Sequence, residues 1–455
     1  MPGNRSARTR WITVVGTVVT TAALLAGAHT AGAAPVPVTV SGPVETPEVE
    51  CFDGPGGKPR HEVVPAEAPA EITRHRTSAA ATPAAAVTPV QETGPVSGRL
   101  DLVIMGDGCT AAQQADSRTD AQAAIDSVFA IEPYADYRGL FDIWLVDTAS
   151  AESGVPGAPT AGVVRDTAPS SYFFCEQTER LLCLDTSKVT AYANQAPASD
   201  IVFVVADSAK YGGAGHGFPT PPDGASYHGV ATMSSDNPKS YLTGAHELGH
   251  SIGNLADEYP YAGYGAYPCP SSGSATVSVT PDLGTSKWYR WLGEQGPTGS
   301  VIGAYEGGDH YETGVYRPSS TSLMRTLSST EFNHVGREAM IKGFCAYADG
   351  MTSTVPTGTP VRPGRKVGVR LAPVTGLSGL ELAWHVDGKR VTWATGDPSV
   401  IPAELGATRG GVRPGPGPVA LTCAAGRIAP GAVARGPFGA FASGVATPVR
   451  ARVVD

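Results

Sequence analysis

His246-Glu247-Leu248-Gly249-His250 is the stretch of the chain whose residue types and spacing point most directly to chemistry. Histidines four residues apart stand one turn apart on one helix face, about the separation that a single Zn²⁺ needs. The glutamate between them can reach a metal-bound water and take its proton. Tyr241, Leu242, Ala245, Leu248, Gly249 and Ile252 recur at helical spacing around the motif and predict a helix to carry it. Gly253 is expected to break that helix and turn the chain back, because glycine enters left-handed conformations at no steric cost. In the pattern His-Glu-x-x-His-x-x-Gly-x-x-His/Asp, the third ligand lies six residues after the second histidine. That position is Ala256, which cannot ligate, and Asp257 and Glu258 follow it. Either carboxylate could close a three-ligand site that keeps one position for water. Asp257 is the closer match in register, with Glu258 the alternative.

Three further groups belong with the motif. A methionine-bearing turn often lies beneath the histidines of such a site, and Ser322-Leu323-Met324-Arg325 is the candidate. Tyr259 and Tyr316 are candidate hydrogen-bond donors to an oxyanion. Tyr211-Gly212-Gly213, then Gly215-His216-Gly217, reads as a glycine-rich strand edge that a substrate backbone could approach and pair with. His216 reads as a loop histidine rather than a ligand.

Beyond these residues the chain resembles the IgA-specific metallopeptidase family over roughly residues 98 to 348. The matching segments run in order: Leu100-Asp101-Leu102-Val103-Ile104-Met105-Gly106-Asp107-Gly108, Asp142-Ile143-Trp144-Leu145-Val146, Arg180-Leu181-Leu182 and Tyr211-Gly212-Gly213. After the histidine motif come Leu255-Ala256-Asp257-Glu258-Tyr259, Tyr305-Glu306-Gly307-Gly308, Tyr316-Arg317-Pro318 and Leu323-Met324-Arg325. The resemblance implies a secreted, metzincin-like zinc endopeptidase with both histidines and a downstream acid on one catalytic zinc. Two positions depart from the family pattern. Cys109 stands where tyrosine is expected after Gly-Asp-Gly, and Ser322 stands where cysteine is common before the methionine turn. Neither removes a ligand. The family name does not assign IgA as the substrate.

The elements that must position these residues read as a mixed α/β domain over residues 98–349. Buried strands are expected at Leu100 to Met105 and Asp200 to Ala206, with helices around Ala111 to Phe129 and Phe332 to Ala346. Residues 1–33 carry Arg5, Arg8 and Arg10, an apolar run from Trp11 to Leu25, and Ala31-Gly32-Ala33, the pattern of a cleaved secretory signal peptide. Residues 34–97, rich in Pro, Ala, Val and Thr, read as a pro-segment or flexible spacer. A linker is expected over 350–365. Period-two alternation over 366–455, as in Leu380, Leu382, Trp384 and Val386, suggests a small all-β sandwich.

Charge and cysteines bound the setting. The full chain carries 33 basic and 42 acidic residues, and the first 33 residues hold three arginines and no acid. The mature protein is therefore strongly acidic, with no electrostatic reason to seek nucleic acid or, once the signal is cleaved, anionic membrane. All seven cysteines fall after residue 33, where disulfides can form, and Cys175 and Cys183 are the expected local pair. These observations add up to a secreted zinc endopeptidase acting on protein or peptide substrates. Two other classes share parts of the evidence. A non-catalytic, zinc-containing surface adhesion protein would have no need of Glu247. A hydrolase of cell-wall peptides would use the same residues on another substrate.

Overall fold

The computed structural model describes residues 83–355 except Leu283, parts of 360–404, and short strands at Arg10–Val15, Glu48–Phe52, Pro59–Val63, Val412–Gly415 and Pro448–Val453. Most of the expected signal peptide and of the spacer lies outside the described residues, as do Leu380 and Leu382 of the expected β-sandwich.

Six strands form the central sheet: β1 (Val87–Gln91), β2 (Leu100–Asp107), β3 (Phe141–Val146), β4 (Ile201–Ala206), β5 (Gly213–Gly217) and β6 (Gly229–Ser234). Their spatial order is β1-β3-β2-β4-β6-β5. The middle four strands are parallel, and both edge strands run antiparallel to their neighbours. Every residue of β2, β3, β4 and β6 is buried, as expected of parallel strands covered on both faces. Alternation along β2 divides its side chains between two layers. Leu102 and Ile104 join the core under helices α1 (Gln114–Val128), α3 (Ser240–Gly253) and α4 (His334–Tyr347). Val103 and Met105 face α2 (Thr186–Ala193) through Val189 and Tyr192. The expectation of a mixed α/β domain thus holds in coarse outline.

Helix α3, which carries the histidine motif, lies directly against β5 and β6. Leu242, Ala245, Leu248 and Ile252 are buried as the periodicity predicts, whereas Tyr241 is 47% exposed. Its approach to the sheet depends on missing side chains. A Cβ on Gly215 would overlap the Glu247 carbonyl oxygen, while one on Gly217 would meet nothing nearer than 3.7 Å. Gly215→Ala is therefore expected to lower unfolding stability by about 3 kcal/mol, the range of core overpacking. Gly217→Ala is expected to stay within roughly 0.5 kcal/mol, as for a surface substitution. Urea unfolding of both variants measures the difference.

Beyond α4, Met351–Ser353 pairs with Val367–Leu371, which pairs in turn with Ser399–Val400. A strand thus begins inside the segment expected to be a linker, because Met351 and Val355 are apolar and buried. Ala383–Val386 is the middle of a second three-stranded sheet. Among the described residues no helix is long and apolar enough to cross a membrane.

Candidate metal centre and active-site cleft

Helix α3 sets His246 and His250 one turn apart, and backbone carbonyls orient both rings. His246 Nδ1 lies 3.1 Å from the Leu323 carbonyl oxygen, and His250 Nδ1 lies 2.6 Å from that of Leu255. A carbonyl oxygen only accepts, so each Nδ1 carries the hydrogen and each neutral ring keeps a lone pair on Nε2. The two Nε2 atoms are 3.2 Å apart.

The chain returns to them through a tight turn. Asn254, not Gly253, takes the left-handed conformation at the helix end, with φ 49°, and its N–H donates to the Gly249 carbonyl. Asparagine tolerates that region better than most residues. Gly253 is required for space instead: a Cβ there would stand 2.6 Å from Met340 Sδ.

Past the turn, Asp257 and Glu258 point in different directions. Asp257 Oδ1 lies 3.0 Å from His246 Nε2 and 3.6 Å from His250 Nε2. Its other oxygen, Oδ2, accepts from the Tyr259 hydroxyl at 2.8 Å and lies 2.9 Å from His310 Nε2. Glu258 is fully buried, its oxygens accepting from Ser322 Oγ at 2.6 Å and Asn333 Nδ2 at 2.8 Å. The Ser322–Arg325 turn runs beneath the helix. Leu323 receives His246, the Met324 carbonyl accepts from the Glu258 N–H, and a Cβ on Gly249 would stand 3.1 Å from Met324 Sδ.

These positions make a specific test of a metal's fit. Asp257 Oδ1 is buried and has no hydrogen-bond partner, although two imidazole nitrogens lie within 3.6 Å. Three lone-pair atoms converge there, an arrangement that repels itself unless a cation joins them. Ligands at 2.0–2.1 Å around a tetrahedral ion stand about 3.3 Å apart, which matches the observed 3.0, 3.2 and 3.6 Å. Glu247 also belongs to a group of potential ligands with the two histidines, with donor atoms within 4.8 Å of one another. Its Oε2 is 4.0 Å from His250 Nε2, farther than Asp257 Oδ1, so Asp257 fits the ligand position better.

Electrostatics follow the same geometry. Burial raises the Glu247 carboxyl pKa, against the pull of the two histidines. Burial opposes charge on His250, but Asp257 and Glu247 outweigh it and push its pKa up to about 9. Burial would likewise raise Asp257, yet the charge of His250 and the close approach of all three imidazoles hold it well below the usual carboxylate range. A proton and a metal ion thus compete for these atoms.

A cleft of about 320 Å³ opens beside His246 and Glu247. Tyr211, Tyr259 and Tyr261 line it, and Tyr316 is not among its lining residues. Gly213 opens β5 directly against the helix, its Cβ position 3.0 Å from Glu247 Oε1. Its outward N–H and C=O are bridged to Arg180 and Leu182. The structure adds His310 and Arg180, the latter known from the sequence only as part of a family-matching segment with no role at the site. His310 lies in the turn between β7 (Tyr305–Gly308) and β8 (Tyr311–Arg317) and stacks on Tyr261 at 5.0 Å. Arg180 donates to the hydroxyls of Tyr259 and Tyr261. His310 meets Asp257 across 53 residues of sequence and Arg180 meets Tyr261 across 81, and no local pattern announces either contact.

A model of the family described as IgA Peptidase M64 matches residues 88–299 and 295–344, from β1 to α4. The chain belongs to the IgA peptidase M64 family. The matched spans contain the helix, the Asp257 loop, the Met324 turn and the His310 hairpin, so the converging groups all lie within the M64 region. The chain is accordingly a member of a peptidase family, and it contains the Cys175–Cys183 disulfide that its spacing suggests. No curated protein matches it.

Glu258 provides a test of the M64 core that is independent of catalysis. Burial pushes its carboxyl up to about 7, against Ser322, Asn333 and nearby arginines. Between the ordinary carboxyl range and pH 7 the folded protein retains a proton that the unfolded chain releases. Stability from this group is therefore present at low pH and is lost as pH rises toward 7, by on the order of 3 kcal/mol. Glu258→Gln keeps an acceptor for Asn333 and a donor for Ser322. Its unfolding free energy relative to the parent is expected to improve steadily from pH 4.5 to 7.5, and a flat difference would contradict the assignment.

Proposed function

We propose that the chain is a secreted zinc-dependent endopeptidase in which His246, His250 and Asp257 hold one catalytic zinc and Glu247 is the general base. The observation that carries this reading is the buried, unpartnered Asp257 Oδ1 facing two imidazole lone pairs at tetrahedral spacing. Zinc bound there would supply a Lewis acid and bring the pKa of a coordinated water to about 7.

The protein's own groups do the rest. Leu323 and Leu255 carbonyls fix the imidazoles with Nε2 forward, and Tyr259 and His310 fix the carboxylate. Glu247, whose burial favours the protonated form, takes a proton at its carboxylate and returns it to the departing amine. Met324 supports the helix from below at Gly249. Tyr259 acts through Asp257 rather than as an oxyanion donor, because its hydroxyl is committed to Oδ2. A substrate backbone runs through the cleft past Tyr211, beside Glu247. Secretion is supported by the basic-apolar-small pattern of residues 1–33 and by the disulfide. The strands beyond residue 350 form an accessory β-sandwich.

Incubation of the purified protein with a mixed peptide library tests the endopeptidase assignment. Fragments cut at internal bonds are expected. Release of terminal residues alone, or no product from zinc-loaded protein, would contradict it.

A further inference from the structure

The chain is acidic, with a formal net charge of −9, yet its cleft is not. Arg180, Lys239 and Arg325 all line it, and Glu247 is the single carboxylate among the lining residues. None of the three cations makes a salt bridge with the described residues. Lys239 sits at the N-terminal end of α3 and Arg325 follows the methionine turn, so the charges come from two sides of Glu247. A positively charged cleft on a negative protein focuses its field on anions.

Arg180 is the most firmly placed of the three. It lies in the short loop closed by the Cys175–Cys183 disulfide. Its carbonyl accepts from the Gly213 N–H at 3.2 Å, which pins the loop to the start of β5. One guanidinium nitrogen, Nη2, serves Tyr259 and Tyr261, and no hydrogen bond to a described residue engages Nε or Nη1. Guanidinium nitrogens in that state match a carboxylate in a two-point contact.

We propose that Arg180, with Lys239 and Arg325 at the rim, selects peptides that carry an aspartate or glutamate side chain next to the scissile bond. This rests on the peptidase reading above and adds its substrate class. The carboxylate is that of an internal side chain, since an endopeptidase cleft must admit chain on both sides of the bond.

The test uses full-length, zinc-loaded protein and C-terminally amidated peptides that differ only by Glu, Gln or Lys at positions flanking the cleaved bond. Amidation leaves the side chain as the source of the carboxylate. One flanking position is expected to favour Glu over Gln by about ten- to a hundredfold in kcat/KM, the worth of charge-assisted contacts. The preference should shrink as salt rises. The ratio should fall toward one in Lys239→Glu/Arg325→Glu and in Arg180→Gln. Binding of the Glu peptide to Glu247→Gln protein, followed by fluorescence anisotropy, should weaken in the same variants. Equal cleavage of the Glu and Gln peptides by the parent would overturn the proposal and leave the peptidase reading intact. So would a loss in Arg180→Gln that is equal for both peptides, which marks a general catalytic or structural role. Cleavage of no peptide at all would overturn both.

Discussion

Asp257→Ala is expected to lose both bound zinc and peptide cleavage, with zinc affinity falling by more than the roughly 10–100-fold that a change behind the ligands costs. The substitution removes the oxygen that lies 3.0 and 3.6 Å from the two imidazole nitrogens. It also leaves Tyr259 and His310 without the carboxylate that orders them. Two comparisons separate these effects. His310→Ala keeps the proposed ligand and removes one of its supports, so its zinc affinity should fall only within that 10–100-fold range. Glu258→Gln, whose side chain faces Ser322 and Asn333, should keep full zinc. Inductively coupled plasma mass spectrometry after dialysis against graded chelator ranks the three. Retention of stoichiometric zinc by Asp257→Ala would remove Asp257 from the ligand set.

Glu247→Gln is expected to show the opposite pattern, with zinc retained and turnover reduced by about 10²–10⁴-fold or more, the contribution of a placed general base. Glutamine is nearly isosteric, so Gly213, which leaves no room for a side chain beside Glu247 Oε1, keeps its contact. KM should change little, because the carboxylate moves a proton rather than binding substrate. Single-turnover cleavage of one identified library peptide measures the rate. Parent-like turnover would show that another group takes the proton.

The parts of this site that were legible in the sequence are those fixed by local geometry. Histidines at i and i+4 must share a helix face, and the apolar spacing around them gave α3 and its buried side. Tyr241 departs because a 14-residue helix on a sheet edge leaves part of its apolar stripe in solvent. The turn residue was misplaced by one. Gly253 looked like the break, but packing against Met340 needs its missing Cβ, and Asn254 supplies the left-handed conformation. Asp257 and Glu258 could be told apart only in three dimensions, where adjacent side chains leave the backbone in different directions. The places of His310 and Arg180 at the site were not legible for a related reason: chain reversal brings them there, and such long-range contacts carry no periodicity. Two of the fully buried strands read as continuous apolar runs and β5 as a glycine-rich edge, whereas β1, short and partly exposed, fell within the segment read as a spacer.

The most direct test of the central claim is removal and return of the metal. Protein stripped with a chelator, freed of it and titrated with Zn²⁺ should lose peptide cleavage completely. Activity should then return in proportion to zinc, saturating at one equivalent. Cleavage that persists in zinc-free protein, or fails to return at one bound equivalent in correctly folded protein, would contradict the account.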